Sequence, residues 1–162
     1  MANITQKITP FLTFDNQAEE AARFYTSIFK DSSLDGISYY GEGSPAPKGS
    51  VMTASFTLFG VKFTALNAGS DPNFKFTHGV SFVVNCDDQD EVDYYWDKLT
   101  EGGKGVACGW LTDKFGLSWQ ITPVRLIELI TDKDKEKAGR VMQAMMKMVK
   151  IDIPTLEKAA EG

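Results

Sequence analysis

The chain holds a single histidine, His78, in 162 residues. A site built on two or more imidazoles of one subunit is therefore excluded. Metal binding would fall to aspartate, glutamate and cysteine, which disfavours a divalent metal without excluding it. Only two cysteines occur, Cys86 and Cys108. They form neither a disulfide framework nor a zinc-type spacing. We read them as reduced thiols of a cytoplasmic protein, with a bridge between them as the weaker alternative. Basic residues are few: 17 Lys and Arg against 22 Asp and Glu leave a net charge of −5. No Lys/Arg cluster offers the basic face that phosphate backbones require, so no nucleic-acid partner is expected. No apolar run approaches the roughly 20 residues of a membrane span, so no membrane partner is expected either. The opening MANITQKITPFLTF has no apolar stretch of the length a secretory leader needs.

What is present suits a folded domain. Hydrophobic residues make up 43% and charged residues 24% of the chain, ordinary values for a globular protein. A chain of this length buries a core without covalent staples. The main organising signal is an internal repeat. ITPFLTF, residues 8–14, alternates like a half-buried strand. NQAEEAARFYTSIF follows as a helix. Asn16 is the expected cap, and Ala18, Ala21, Ala22, Tyr25, Ile28 and Phe29 form its apolar stripe. ISYYG, SVMTASFTLFG and VKFTALN read as three more strands, the last two joined by a hairpin at Phe59-Gly60.

The second half repeats this order. GVSFVVN is a strand, DDQDEVDYYWDKL a helix, EGGKG a turn, and VACGWLTD with GLSWQITP a hairpin around Phe115-Gly116. A shift of 70 residues relates the first strand and helix of the two halves; a shift of 56 relates the hairpins. The difference of 14 matches the extra loop GEGSPAPKG in the first half. The expectation is an α+β chain of two βαβββ modules with curved, mostly antiparallel sheets. Residues 1–70 form the first module, 71–123 the second and 124–162 a C-terminal helical extension, within one structural domain overall. One helix covers only one face of each sheet, so the other face lines a cleft or meets the partner module. In the extension, Val141, Met145 and Met148 form a stripe, with Met142, Met146 and Val149 beside it. The stripe packs on its own subunit or serves a homodimer interface.

The motifs ITPFLTF…EEAARFYTSIF, FTALNAG, VSFVVNC…EVDYYWDKL and GWLTDKFGLSWQITP, with the tail RVMQAMMKMVKIDIPTLEKA, carry a resemblance. The chain resembles the vicinal oxygen chelate superfamily of glyoxalase I, bleomycin-resistance proteins and extradiol dioxygenases. Within it, the chain is similar to the PhnB-like branch, often described as 3-demethylubiquinone-9 3-methyltransferase. Metal-using members place His or Glu on the first and last strands of each module. The resemblance puts those positions on Thr9, Gly79, Thr64 and Gln120. Neutral oxygens and a glycine make a poor divalent site, so no metal or other cofactor is expected. His78, one residue from Gly79, is expected on the opposite face.

The resemblance and the strand alternation together imply a metal-free cleft for a small molecule. Its candidate residues are Thr9, Phe11, Thr64, Ser81, Trp110, Ser118 and Gln120. Core packing is the competing account of Phe11 and Trp110, and a satisfied buried amide that of Gln120. Trp119 is expected on the helix side. Two other readings stay open. One is an enzyme of the superfamily: a glyoxalase-like lyase, a dioxygenase or the methyltransferase of the family description. The other is a non-catalytic dimeric scaffold. Against methyl transfer of the Rossmann type, GEGSPAPKG lies between two strands rather than at a strand-to-helix turn. Asp113 reads as a turn residue.

Overall fold

The apolar alternation of residues 11–14 and the helical stripe after it place a strand and a helix in immediate succession. The computed structural model describes Gln6 to Gly162. Residues 1–5, at the start of the stretch read for a leader, lie outside the described residues. Two compact units result, one ending at Lys75 and one running from Phe76 to Gly162.

The first unit runs β1 (Phe11–Phe14), α1 (Ala18–Ile28), β2 (Ser32–Tyr39), β3 (Val51–Leu58) and β4 (Val61–Asn67). Its sheet has the order β1-β4-β3-β2, with β1 parallel to β4 and the other pairs antiparallel. The βαβββ expectation therefore holds. Leu12 and Phe14 of β1, Ala54, Phe56 and Leu58 of β3, and Phe63 and Ala65 of β4 are buried, as are Ala18, Ala21, Ala22, Tyr25 and Ile28 of α1. Small residues on the helix let it lie close to the sheet, and Phe56 stacks on Phe63 at 5.3 Å. The capping differs from expectation. The residue before α1 is Gln17, which makes no side-chain cap bond. Asn67, at the end of β4, accepts the Ala18 N–H at 2.8 Å instead and donates to Val51 O. A buried strand amide thus satisfies a helix donor that local sequence leaves open.

The second unit runs β5 (Ser81–Cys86), α2 (Gln89–Thr100), β6 (Lys104–Gly105), β7 (Trp110–Thr112) and β8 (Ser118–Pro123). Its sheet has the corresponding order β5-β8-β7-β6, again with one parallel pair, β5 with β8. Asp88 caps α2 by accepting the Glu91 N–H, while the Glu91 carboxylate accepts from Asp87 N. Three helices follow: α3 (Val124–Ile130), α4 (Lys135–Met145) and α5 (Ile153–Glu161). Leu126, Leu129, Val141, Ile151, Leu156 and Ala160 form their core, against which Met145 and Met148 pack. Met142, Met146 and Val149 are exposed, so the apolar surface of the stripe is split between an inner and an outer row.

Several local expectations need correction. VACGWLTD is not one strand: β7 begins at Trp110, and Cys108 sits in the left-handed region at φ 53°. There the Cys108 and Gly109 N–H groups donate to Met148 O and Val149 O, each at 2.8 Å, so the carbonyls after α4 replace a strand partner. EGGKG is not all turn, because Lys104 and Gly105 pair with Thr112 and Leu111. The first-strand repeat shift also changes. Phe11 faces Thr64 and Val83 faces Gln120. With Thr64 and Gln120 aligned, the first strands are offset by 72 residues, 83 minus 11, not 70. Thr9 then corresponds to Ser81 rather than Gly79.

The two thiols are both free and differ in setting. Cys86 is fully buried; burial, then the Glu91, Asp87 and Asp88 carboxylates, push its thiol up to about 12. The thiolate, the reactive form, is thereby suppressed. Alkylation of the native protein by iodoacetamide at about pH 8 should label Cys108 and leave Cys86 untouched until the chain unfolds. Peptide mass spectrometry checks this; equal native rates for both would contradict the burial argument.

Candidate functional site

In β8 the side chains alternate strictly. Trp119 and Ile121 are buried beneath the helices, and Ser118, Gln120 and Thr122 take the opposite, open face. Strand pairing brings neighbours to that face. Ser81 lies beside Ser118, Trp110 beside Gln120, and Thr112 beside Ser118. Four of the seven candidate residues, Ser81, Trp110, Ser118 and Gln120, therefore share one patch of the second sheet. Thr9, Phe11 and Thr64 belong to the first unit. Phe11 pairs with Thr64 on the open face there and is 59% exposed, so it is no core residue. Thr9 is half-buried and precedes β1.

Two side-chain hydrogen bonds organise the patch. Gln120 Nε2 donates to Ser81 Oγ at 2.9 Å. His78 Nδ1 and Ser118 Oγ are 2.9 Å apart. The imidazole also meets the Trp110 indole edge to face, with ring centroids 6.2 Å apart. His78 was expected on the far face, and the structure corrects this. Alternation binds a residue only inside a strand, and β5 begins at Ser81, so His78 is free to turn toward Ser118. No sequence spacing announces that contact, because the two residues are 40 apart.

A serine beside an imidazole invites a nucleophile–base reading. Burial decides against it. Ser118 is wholly inaccessible, so its Oγ serves as an anchor for the ring and not as an attacking group. The anchoring engages Nδ1, and His78 as a residue is exposed.

The metal positions implied by the resemblance do not fit a divalent ion. They carry Thr9, Thr64, Gln120 and, on the corrected register, Ser81, none of them a carboxylate or imidazole. The Gln120 amide is already engaged with Ser81. Among the described residues, no three His, Cys, Asp or Glu side chains converge.

The turn joining β7 to β8 is fixed by Asp113, which is 3% exposed. Its Oδ1 accepts the N–H groups of Phe115 and Leu117, and its Oδ2 accepts Trp119 Nε1–H at 2.9 Å. Read from sequence only as a turn residue, Asp113 also locks the indole beneath the sheet. That in turn fixes which β8 side chains face outward.

Two βαβββ units, each with one helix-covered and one open sheet face, define a fold of the vicinal oxygen chelate class. The family model described as 3-demethylubiquinone-9 3-methyltransferase matches residues 6–122, and the chain belongs to this family. The match ends before α3. A PhnB protein from Bacillus cereus with the same methyltransferase description is 40% identical; the alignment covers 74% of this chain and all of that one, with a TM-score of 0.67. A Pseudomonas aeruginosa protein is 24% identical over 74% of this chain and 98% of its own, with a TM-score of 0.57. The fosfomycin resistance protein FosX from Mesorhizobium loti is 13% identical over 85% of this chain and 99% of its own, with a TM-score of 0.53. These last two likenesses concern the fold alone. Among curated proteins, none matches the chain.

Proposed function

We propose that the chain binds a small, partly planar molecule without a metal, on the open face of the second sheet. The observation that carries this reading is the pair of side-chain hydrogen bonds, His78–Ser118 and Ser81–Gln120, flanked by Trp110. Polar groups held in fixed orientation beside an aromatic wall, Ser81 and Gln120 half-buried and His78 exposed, are what a small-ligand site requires. Trp110 supplies area for stacking, while Gln120 Oε1 and His78 Nε2 are available to a ligand. Methyl transfer of the Rossmann type finds no support in the connections. β1 passes into α1 through Asp15, Asn16 and Gln17, and β5 into α2 through Asp87 and Asp88, without a glycine.

The test is a fragment screen by ligand-observed NMR, with hits mapped on the protein amides. Hits should perturb Ser81, Trp110 and Gln120, and Gln120→Leu should weaken them by roughly tenfold, the cost of one lost hydrogen bond. Hits that map elsewhere, or that bind Gln120→Leu unchanged, would refute the assignment. So would one tightly held divalent ion per chain in elemental analysis, lost on Gln120→Ala.

A further inference from the structure

A cavity of about 440 Å3 opens in the second unit between the residues entering β6, the turn after β7 and the approach to β5. Its ionisable and hydroxyl lining consists of His78, Lys104, Lys114 and Thr112, with one carboxylate, Asp113. That carboxylate is withdrawn: it is 3% exposed and accepts three N–H donors. The remaining polar lining is thus cationic or proton-donating, in a chain whose net charge is −5; the Lys114 ammonium also lies over the Phe115 ring, 5.0 Å from its centroid. A further group in the wall lacks a partner: Thr112 Oγ1 is buried without a hydrogen bond. A single χ1 step exchanges the hydroxyl and methyl of a threonine and would turn that donor toward a ligand. The wall is closely packed. A Cβ on Gly103 would come within 2.1 Å of Thr112 O, so the segment before β6 lies directly on β7.

We propose that this cavity receives an oxyanion, the carboxylate or phosphate of the small molecule held on the adjoining open face. His78 and Thr112 belong to both places, since Thr112 pairs with Ser118 and His78 bonds to it. The remainder of the ligand rests on the function proposed above, but the anion pocket itself stands or falls separately.

Inorganic phosphate and acetate, titrated at constant ionic strength and followed by amide shifts, provide the probes. Saturable shifts of Gly102, Gly103, Lys104 and Gly116 with phosphate assign a phosphate group, and the same shifts with acetate a carboxylate; either supports the pocket. The double variant Lys104→Ala/Lys114→Ala alters only exposed side chains and should weaken the effect at least roughly tenfold. Shifts that fail to saturate with both probes, or that persist in the double variant, overturn the proposal. Gln120→Leu separates the two readings. It should leave phosphate or acetate binding intact while weakening the fragment hits, so failure of one reading is visible without the other.

Discussion

Replacing Asp113 with asparagine should destabilise the second unit by about 2 kcal/mol, although the substitution is nearly isosteric. The carboxylate accepts on both oxygens, from Phe115 and Leu117 N–H on one and from the Trp119 indole N–H on the other. Asparagine has only one acceptor oxygen. Whichever way the amide turns, its NH2 faces a donor, and the site is nearly fully buried. A buried donor left unmatched costs roughly 1–3 kcal/mol. Asp113→Ala removes the acceptor from all three donors and should cost about 4 kcal/mol, because hydrogen bonds to a charged group are the stronger kind. Trp119→Phe, which removes the indole N–H but leaves the turn bonds, should fall below the alanine variant. Urea unfolding monitored by far-UV circular dichroism measures the series. An asparagine variant within about 0.5 kcal/mol of the wild type would show that the three bonds do not set the turn. Because the turn fixes which β8 residues point outward, its loosening should also weaken the fragment hits proposed to bind at Gln120.

How much of this was legible in the sequence depends on the range of the interaction. Short-range signals read well. Phe59-Gly60, with φ of 46° and 77°, is the two-residue hairpin that strand spacing indicated. The stripes Ala18–Ile28 and Val92–Leu99 gave both sheet-covering helices, since 3.6-residue periodicity survives in one helix. Strand alternation put Ser81, Ser118 and Gln120 on one side. Medium-range features were lost. β2 starts at Ser32, through Asp35 and Gly36, where register shifts break the alternation. β6 has two residues, too few for any pattern. α3 begins directly after Pro123 and shows only Leu126 and Leu129 buried, a stripe too short to register. Long-range side-chain choices were invisible. Asn67 capping a helix 49 residues earlier, and His78 turning onto Ser118, are set by tertiary packing alone. Lys114 carried no signal, because a single exposed lysine resembles any solvated surface, and GGKG around Lys104, preceding a strand rather than a helix, argued against a phosphate cradle.

Ile151→Ala should cost about 3–4 kcal/mol, a large effect for a residue in the link between α4 and α5. Ile151 is fully buried amid Leu126, Leu129, Val141, Leu156 and Ala160. The link is fastened to the rest of the unit from both sides. Cys108 and Gly109 N–H reach Met148 O and Val149 O. Gln89 Nε2 donates to Ile151 O at 3.1 Å, and its Oε1 accepts Ile153 N–H at 2.8 Å. A Cβ on Gly109 would sit 3.0 Å from Ile151 Cγ1, so the glycine is required for the link to dock. Truncation to alanine therefore opens a cavity that its tethered neighbours cannot collapse to fill, the costlier case for large-to-small substitutions. The adjacent Lys150–Asp93 ion pair, at 2.7 Å, has both side chains more than a third exposed. Asp93→Asn should accordingly change stability by less than about 1 kcal/mol. The shape of the unfolding curve carries the further information. If α3–α5 share one cooperative unit with the second sheet, Ile151→Ala lowers the urea midpoint and leaves the m-value unchanged. An early separate transition, with near-UV signal from Trp110 and Trp119 retained, would mean that the helices fold independently of the βαβββ unit they cover.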